Sequence, residues 1–292
     1  MKRLTGILLI AISAASFGTL AIFGKFLYAD GLDTFTLLFL RFLFAASVMT
    51  LILVLRREPL PRGRVLAQLI GMGALGYAGQ SFSYLSAIKY ASAGLVALLL
   101  YLYPMFVFIL SVIFLREKVT WPKALALTLA LIGAALTANP QGGQMLGIFY
   151  AILAAVIYSV YIIVGAGVMK QVSAIQSSLV IFTSAAAVYG TLTLVNGAHF
   201  PQSSSGWWSL AGIVIVATVI PVATFLAGLE RIGPTNASLL STLEPVVTVL
   251  LAAWLFGERL EALAIIGGAL ILVAVVVLTR NEMNQIPPVP EV

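Results

Sequence analysis

The chain has 292 residues, 61% of them hydrophobic and only 9% charged, with a formal net charge of +6 and a mean hydropathy of +1.10. No soluble domain can bury that much apolar surface, so the composition defines a polytopic membrane protein. Cysteine is absent, which excludes thiol catalysis, disulfides and thiolate metal sites. The basic residues sit in short loops between apolar runs, a pattern that carries topology rather than a nucleic-acid surface.

In chain order, Met1-Lys2-Arg3 leads into an apolar run over 4–27. It is too long for a signal-peptide h-region and reads as the first transmembrane helix. Further runs of bilayer-crossing length fall at 34–55, 65–88, 93–115 and 121–138, then at 146–168, 174–195, 207–229, 234–256 and 262–279. Loops are expected at Arg56 to Arg62, at Asn139 to Gly143 and, longest, at Asn196 to Gly206. The proline-rich stretch Ile286 to Pro290 predicts an extended, solvated tail over 281–292.

With the N-terminus placed in the cytoplasm, twelve basic residues fall inside: Lys2, Arg3, Arg56, Arg57, Arg62, Arg64, Arg116, Lys118, Lys123, Lys170, Arg231 and Arg280. Three fall outside (Lys25, Lys89 and Arg259), and Arg41 lies within a span. That imbalance predicts ten helices with both termini cytoplasmic. Trp121, Trp207, Trp208 and Trp254 all fall near predicted span ends, where amphipathic rings anchor at the interface.

The chain is written twice. The stretch Ser92 to Glu117 returns 141 residues later, with Pro245 matching Pro104 and Glu258 matching Glu117. In the same ungapped register Gly6-Ile7 meets Gly147-Ile148, Gly24 meets Gly165, and Gly71 meets Gly212. Five spans per half is an odd number, so the halves should be inverted in the membrane. The expected architecture is therefore all-α, ten transmembrane helices as two inverted five-helix repeats, 1–140 and 141–280, followed by a disordered cytoplasmic tail over 281–292. Inverted repeats are the architecture of alternating-access transporters, with substrate near the midplane between the halves.

These features together resemble the drug/metabolite transporter superfamily, in particular its EamA-type ten-helix members. The resemblance covers nearly the whole chain. It rests on the paired halves, Arg41 in the second span, the endings Pro104…Arg116-Glu117 and Pro245…Gly257-Glu258, and the Glu244-Pro245 pair. Arg116 departs from the usual Gly-Glu ending. The tyrosines near the central helices are similar to those of YddG-type aromatic amino-acid exporters. The resemblance implies a multi-pass protein of the cell (inner) membrane that exports small amphipathic metabolites, aromatic amino acids first, by alternating access through a central cavity. Export of other metabolites or drug-like compounds is the alternative within transport, and an intramembrane lipid-modifying enzyme the alternative outside it.

Several residues carry candidate chemistry. Glu244 is the one acidic residue placed well inside a span, and an intramembrane carboxylate should face the bundle interior with a partner. It reads either as a proton-coupling or substrate-ammonium site, or as a kink device bonded to the hydroxyls of Ser241 or Thr242. Arg41, about two turns in from the outer side, reads as a tie to a neighbouring helix end or as a substrate-carboxylate receptor, within snorkelling reach of the interface. Tyr77, Gln80 and Tyr84 share one helical face. With Tyr101, Tyr103, Tyr158 and Tyr161 they make an aromatic and hydroxyl-rich set suited to an amphipathic substrate, although each tyrosine alone is compatible with ordinary packing. The expected substrate-binding residues are Tyr77, Gln80, Tyr84, Tyr101, Tyr158, Tyr161, Ser241 and Glu244. Pro104, Pro221 and Pro245 are candidate hinges or static kinks. Small stripes, Ala14-Gly18-Ala21 and Gly71, Gly73, Gly76 and Gly79, permit close helix approach.

No phosphate-binding glycine loop, His-Glu-x-x-His motif or aspartate pair is present, and the single histidine, His199, lies in a loop. The expectation is a non-enzyme with no cofactor and no metal. Its partners are a small-molecule substrate and the bilayer, with no nucleic acid, and a monomer is the working expectation. A channel would require a ring of repeated polar residues along one path, and the sequence has none.

Overall fold

The computed structural model describes residues 2–91, 96, 99–137, 144–256 and 262–284. The expected repeat ending at Gly257-Glu258, the loop at Asn139 to Gly143, part of the 93–115 run and the proline-rich tail lie outside these residues. The described ones form no strands. Their helices are α1 (Lys2–Phe17), α2 (Leu20–Ala29), α3 (Thr34–Arg56), α4 (Gly63–Gly71), α5 (Ala78–Tyr90), α6 (Tyr103–Leu115) and α7 (Trp121–Thr137). Then follow α8 (Met145–Val168), α9 (Ala174–Asn196), α10 (Ser204–Val214), α11 (Ile220–Ile232), α12 (Pro234–Leu240), α13 (Glu244–Phe256) and α14 (Ala262–Asn284).

Wide π turns, Met72–Tyr77 and Ile215–Val219, join α4 to α5 and α10 to α11, and a 3-10 turn, Ser241–Leu243, joins α12 to α13. Among the described residues the helices thus line up as ten rods, with α1–α2 the first, α4–α5 the third, α10–α11 the eighth and α12–α13 the ninth. Five stretches are long and apolar enough to cross a bilayer unaided: Arg3–Ala29, Thr34–Arg56, Met145–Val168, Ala174–Asn196 and Ser204–Ile232. Tyr103–Leu115, Trp121–Leu136 and Ile265–Asn281 are shorter apolar helices. The last rod runs to Asn284, four residues into the expected tail.

The main pairings are rod two with seven, five with ten, one with eight, and three with six. Moving every rod five places along the chain returns the same four pairings. Glycines set the close approaches. A Cβ on Gly228 would stand 3.1 Å from the carbonyl oxygen of Gly6 where rods one and eight cross. One on Gly147, the 141-residue counterpart of Gly6, would stand 2.8 Å from the Cβ of Ala91 where rods six and three meet. Without lipid-excluding pressure between helices, such backbone contact is what holds a bundle together.

The rod ends are fastened by side chains. Asp33 caps α3, accepting from the amides of Phe35 (2.8 Å) and Thr36 (3.1 Å). Ser173 caps α9 in a capping box with Gln176. Arg116 ends α6 in the left-handed region, φ 54°, the conformation glycine takes at no steric cost. Glu117, next in line, bonds Lys123 and accepts from Thr235 Oγ1 at 2.6 Å. That ties the end of rod four to the starts of rods five and nine. At the opposite end Asp30 accepts from the amides of Gln202 and Ser203, and Asp33 meets His199 Nδ1 at 3.2 Å. Trp121, Trp207, Trp208 and Trp254 are all exposed.

Candidate functional site

The three central prolines sit differently in their rods, and the backbone around each is satisfied in a different way. Pro245 frees the carbonyl of Ser241. The 3-10 turn supplies the substitute, since the Glu244 amide donates to Ser241 O. The hydroxyls of Ser241 and Thr242 turn back on their own rod, to Ala237 O (2.9 Å) and Leu239 O (2.6 Å). Neither reaches the Glu244 carboxylate, so the bonding expected of a kink device is not present. Among the described residues that carboxylate has no hydrogen-bond or ion-pair partner, although the side chain is only half-buried. Tyr77, Tyr84, Tyr101, Tyr103 and Tyr158 all lie close enough to feel its charge.

Pro221 frees the carbonyl of Ala217, and here the repair comes from another rod. Arg41 on rod two sends Nη2 to Ala217 O at 3.2 Å and Nε to Thr218 Oγ1 at 2.5 Å. The Thr218 hydroxyl in turn donates a hydrogen bond to Ile213 O at 2.7 Å. A third contact, Nη2 to the Tyr77 hydroxyl, is long at 3.5 Å. The guanidinium is 5% exposed and lies 5.1 Å from the Phe42 ring. It is thus buried in the bundle and bonded at mid-rod, not snorkelling to the interface and not tied to a helix end. Tyr77 and Thr218 are 141 residues apart, so Arg41 bonds matching positions of the two π turns.

Pro104 opens α6 after the turn at Tyr101 and Leu102, and Leu102 O accepts from the amides of Met105 and Phe106. Beside it the aromatic rings run in a continuous series. Tyr103 meets Tyr158 edge-on (4.9 Å), Tyr158 stacks on Tyr161 (5.9 Å), Tyr161 lies 5.9 Å from Tyr77, and Tyr77 meets Phe42 edge-on (5.3 Å). Phe225 of rod eight stacks on Tyr158. Rods two, three, four, six and eight therefore contribute to one aromatic seam, in separations typical of favourable ring pairs.

The expected site residues divide. Tyr77, Tyr158 and Tyr161 lie in the seam. Tyr101 is buried, and the charge of Glu244 reaches it. Tyr84 packs instead against a satellite cluster of Ala87, Val96 and Ala151. Gln80 is half-buried and accepts from its neighbour Ser81 at 3.4 Å. Ser241 donates to its own backbone at Ala237 O, and its hydroxyl also meets that of Tyr103. The sequence reading named Tyr103 in the aromatic set without counting it among the substrate-binding residues, and it left Phe225 and Thr218 out altogether. For Tyr103 the signal was present, since 103 and 244 are 141 apart and Tyr103 is the first-half counterpart of Glu244. A separate groove of about 430 Å³, lined by Arg64, Gln68, Val164, Gly167 and Gln171 among others, opens between rods three and six at the loop end, away from the seam.

A bundle of apolar rods around buried aromatic and guanidinium groups and a half-buried carboxylate is the build of a multi-pass membrane protein, and no His/Cys/Asp/Glu cluster among the described residues could hold a metal. The profile of the EamA-like transporter family matches residues 4–139 and again 145–280, and the chain belongs to that family. An uncharacterized transporter of Archaeoglobus fulgidus is 30% identical over 272 residues, covering 93% of this chain and 95% of its own length. The uncharacterized transporter YcbK of Bacillus subtilis is 25% identical over 276 residues, 90% and 88% of the two chains. A solved crystal structure superimposes with a TM-score of 0.83 at 22% identity, over 94% of this chain and 98% of that one, a likeness of fold.

Proposed function

We propose that this transporter exports small amphipathic metabolites, aromatic amino acids foremost, from the cytoplasm across the cell (inner) membrane. The observation that carries this reading is the aromatic seam from Tyr103 to Tyr77, near a Glu244 carboxylate that has no partner among the described residues. Stacked rings receive an aromatic side chain, and a half-buried carboxylate within a span receives an ammonium group. The residues assigned to substrate are Tyr77, Gln80, Tyr84, Tyr101, Tyr158, Tyr161, Ser241 and Glu244, with Tyr103 added from the seam.

Movement is alternating access between two inverted five-helix repeats, 1–140 and 141–280, with both termini cytoplasmic and Pro104, Pro221 and Pro245 as the flexible points. The recurrence of the four rod pairings on a five-rod shift, and the matching π turns, support that reading. The specific type proposed is a YddG-like aromatic amino-acid exporter. Counterflow of radiolabelled phenylalanine, tyrosine and tryptophan into proteoliposomes, set against leucine and glutamate, tests it. Preferential counterflow of the aromatic three is expected, and equal or absent counterflow of them would reject the aromatic assignment.

A further inference from the structure

Arg41 is a full positive charge within a rod, 5% exposed, and no carboxylate of a described residue pairs with it. Ion burial in a membrane bundle is costly, and such groups are normally matched by an opposite charge. Arg41 has only dipoles: Thr218 Oγ1, Ala217 O and, at the 3.5 Å limit, the Tyr77 hydroxyl. Nη1 makes no hydrogen bond to a described residue. Two guanidinium edges are therefore unequal. The edge carrying Nε is fixed to the π turn of rod eight. The Nη1 edge, together with the loosely held Tyr77 hydroxyl, is open to exchange.

Tyr77 is also the last tyrosine of the aromatic seam, 5.9 Å from Tyr161, and it feels the charge of Glu244. It thus touches the buried Arg41 guanidinium and lies within electrostatic reach of the Glu244 carboxylate, with the seam running off it. From this arrangement we infer that Arg41 is the receptor for a carboxylate group on the substrate, which displaces the Tyr77 hydroxyl and takes the Nη1–Nη2 edge in a bidentate pair. The substrate class is then a zwitterion, with carboxylate on Arg41, ammonium toward Glu244 and side chain against Tyr158 and Tyr161. Arginine suits this task because its planar fork matches a carboxylate while its other edge keeps its anchor. The assignment rests on the amino-acid reading above, and it adds which group selects the acid end.

The test is a set of competition ratios, which cancel differences in the amount of folded protein. In counterflow assays phenylalanine is compared with phenethylamine, which lacks only the carboxylate, and leucine with isoamylamine. The parent protein should favour each amino acid over its amine by on the order of tenfold or more, the scale of a lost partner to a buried charge. Arg41→Gln should bring the ratios to near unity while amine counterflow persists, and Arg41→Lys should fall between. Thr218→Val, which removes only the anchor of Nε, should lower rates with the ratios kept.

A parent that does not discriminate overturns the proposal, as does an Arg41→Gln protein with the parental ratio. If Arg41→Gln is absent from the membrane, the parental and Arg41→Lys ratios decide in the same way. Discrimination with the leucine pair alone would keep Arg41 and reject the aromatic assignment. Counterflow of neither amino acid would reject both.

Discussion

The π turns of rod three and rod eight, Met72–Tyr77 and Ile215–Val219, overlap on the 141-residue shift, but their residues have little in common. In rod eight a proline, Pro221, removes the donor that Ala217 O would have used, and Arg41 replaces it from outside. Rod three has no proline. There the turn is glycine-rich, and its close neighbour is the backbone of rod seven: a Cβ on Gly73 would stand 2.5 Å from Ile181 O and 2.9 Å from Ile181 Cα. One turn is held open by a side chain that enters it, the other by a backbone pressed against it. Similar deformations reached by unrelated chemistry imply that the place of the bend matters more than any local sequence that makes it. π turns of this kind collect at functional sites.

The sharpest way to break the rod-three arrangement is to add bulk where the backbones meet. Gly73→Leu should cost more than about 3 kcal/mol, the upper range for overpacking with nowhere to relax, and the variant should lose its thermal transition in detergent. Gly71→Ala, two residues away, meets nothing within 4 Å. It should stabilise by about 0.5–1 kcal/mol, the helical advantage of alanine over glycine. Equal effects at the two sites would show that close packing against rod seven is not what shapes the turn.

Rod eight should break in the opposite sense. Pro221→Ala returns an amide that competes with Arg41 for Ala217 O. Transport should fall several-fold while thermal stability holds or rises, because an α-helical hydrogen bond is regained. Pro245→Ala should be milder, since Ser241 O already has a partner in the Glu244 amide. A larger transport loss for Pro245→Ala than for Pro221→Ala would reverse the comparison.

The same contrast recurs where rods cross in the centre. A Cβ on Gly18 of rod one would lie 3.0 Å from Glu244 O, and Thr248 Oγ1 donates to Gly18 O at 3.0 Å. At the matching crossing, Ser159 of rod six donates to Tyr103 O at 3.2 Å. Ser159 stands for Gly18 and Tyr103 for Glu244. Rod one breaks between α1 and α2 at this point, whereas α8 runs straight through it. The half that carries the carboxylate is thus opposed by a broken rod. Glu244→Gln keeps the shape and removes the charge. It should raise the half-saturation concentration for amino acids by on the order of tenfold and leave counterflow of phenylpropionate, which has no ammonium, unchanged. Accumulation driven by an imposed pH gradient in the parent and absent in Glu244→Gln would instead make Glu244 a proton carrier.

Much of this was legible from the residues. Apolar run lengths located the rods to within a few positions, and the 141-residue register tied Tyr103 to Glu244 and Gly6 to Gly147. What the sequence could not reveal was direction. Tyr77 and Tyr84 share a helical face, yet the widened turn ending at Tyr77 and the separate cluster around Ala87 send them to different neighbours. Arg41 was placed by depth alone, which permits snorkelling. Its actual course is set by a carbonyl made available 176 residues away. The residues Ile215 to Val219 contain nothing that distinguishes a π turn from an α-helix, because the cause lies in Pro221 and in the partner rod.

The smallest difference between the halves is at the caps of rods two and seven. Asp33 and Ser173 fall within one residue of matching positions and do the same work, but only the first can titrate. The Asp33 carboxyl is held below its ordinary value of 3.8: burial pushes the other way, and hydrogen bonds from the Thr36 side chain, the Thr36 and Phe35 amides and His199 outweigh it. A depressed carboxyl contributes stability that is present above its unfolded value and lost as pH falls through the folded one. Acidification below 3.8 should therefore loosen the start of α3 and spare the start of α9. Hydrogen exchange at the amides of Phe35 and Thr36, corrected for intrinsic rates, should rise relative to Gln176 as pH drops. Asp33→Ala and Ser173→Ala should each cost about 1 kcal/mol at neutral pH, and Asp33→Ala should abolish the acid sensitivity at rod two. If Gln176 loosens in step with Thr36, the sensitivity belongs to the whole bundle and not to the cap.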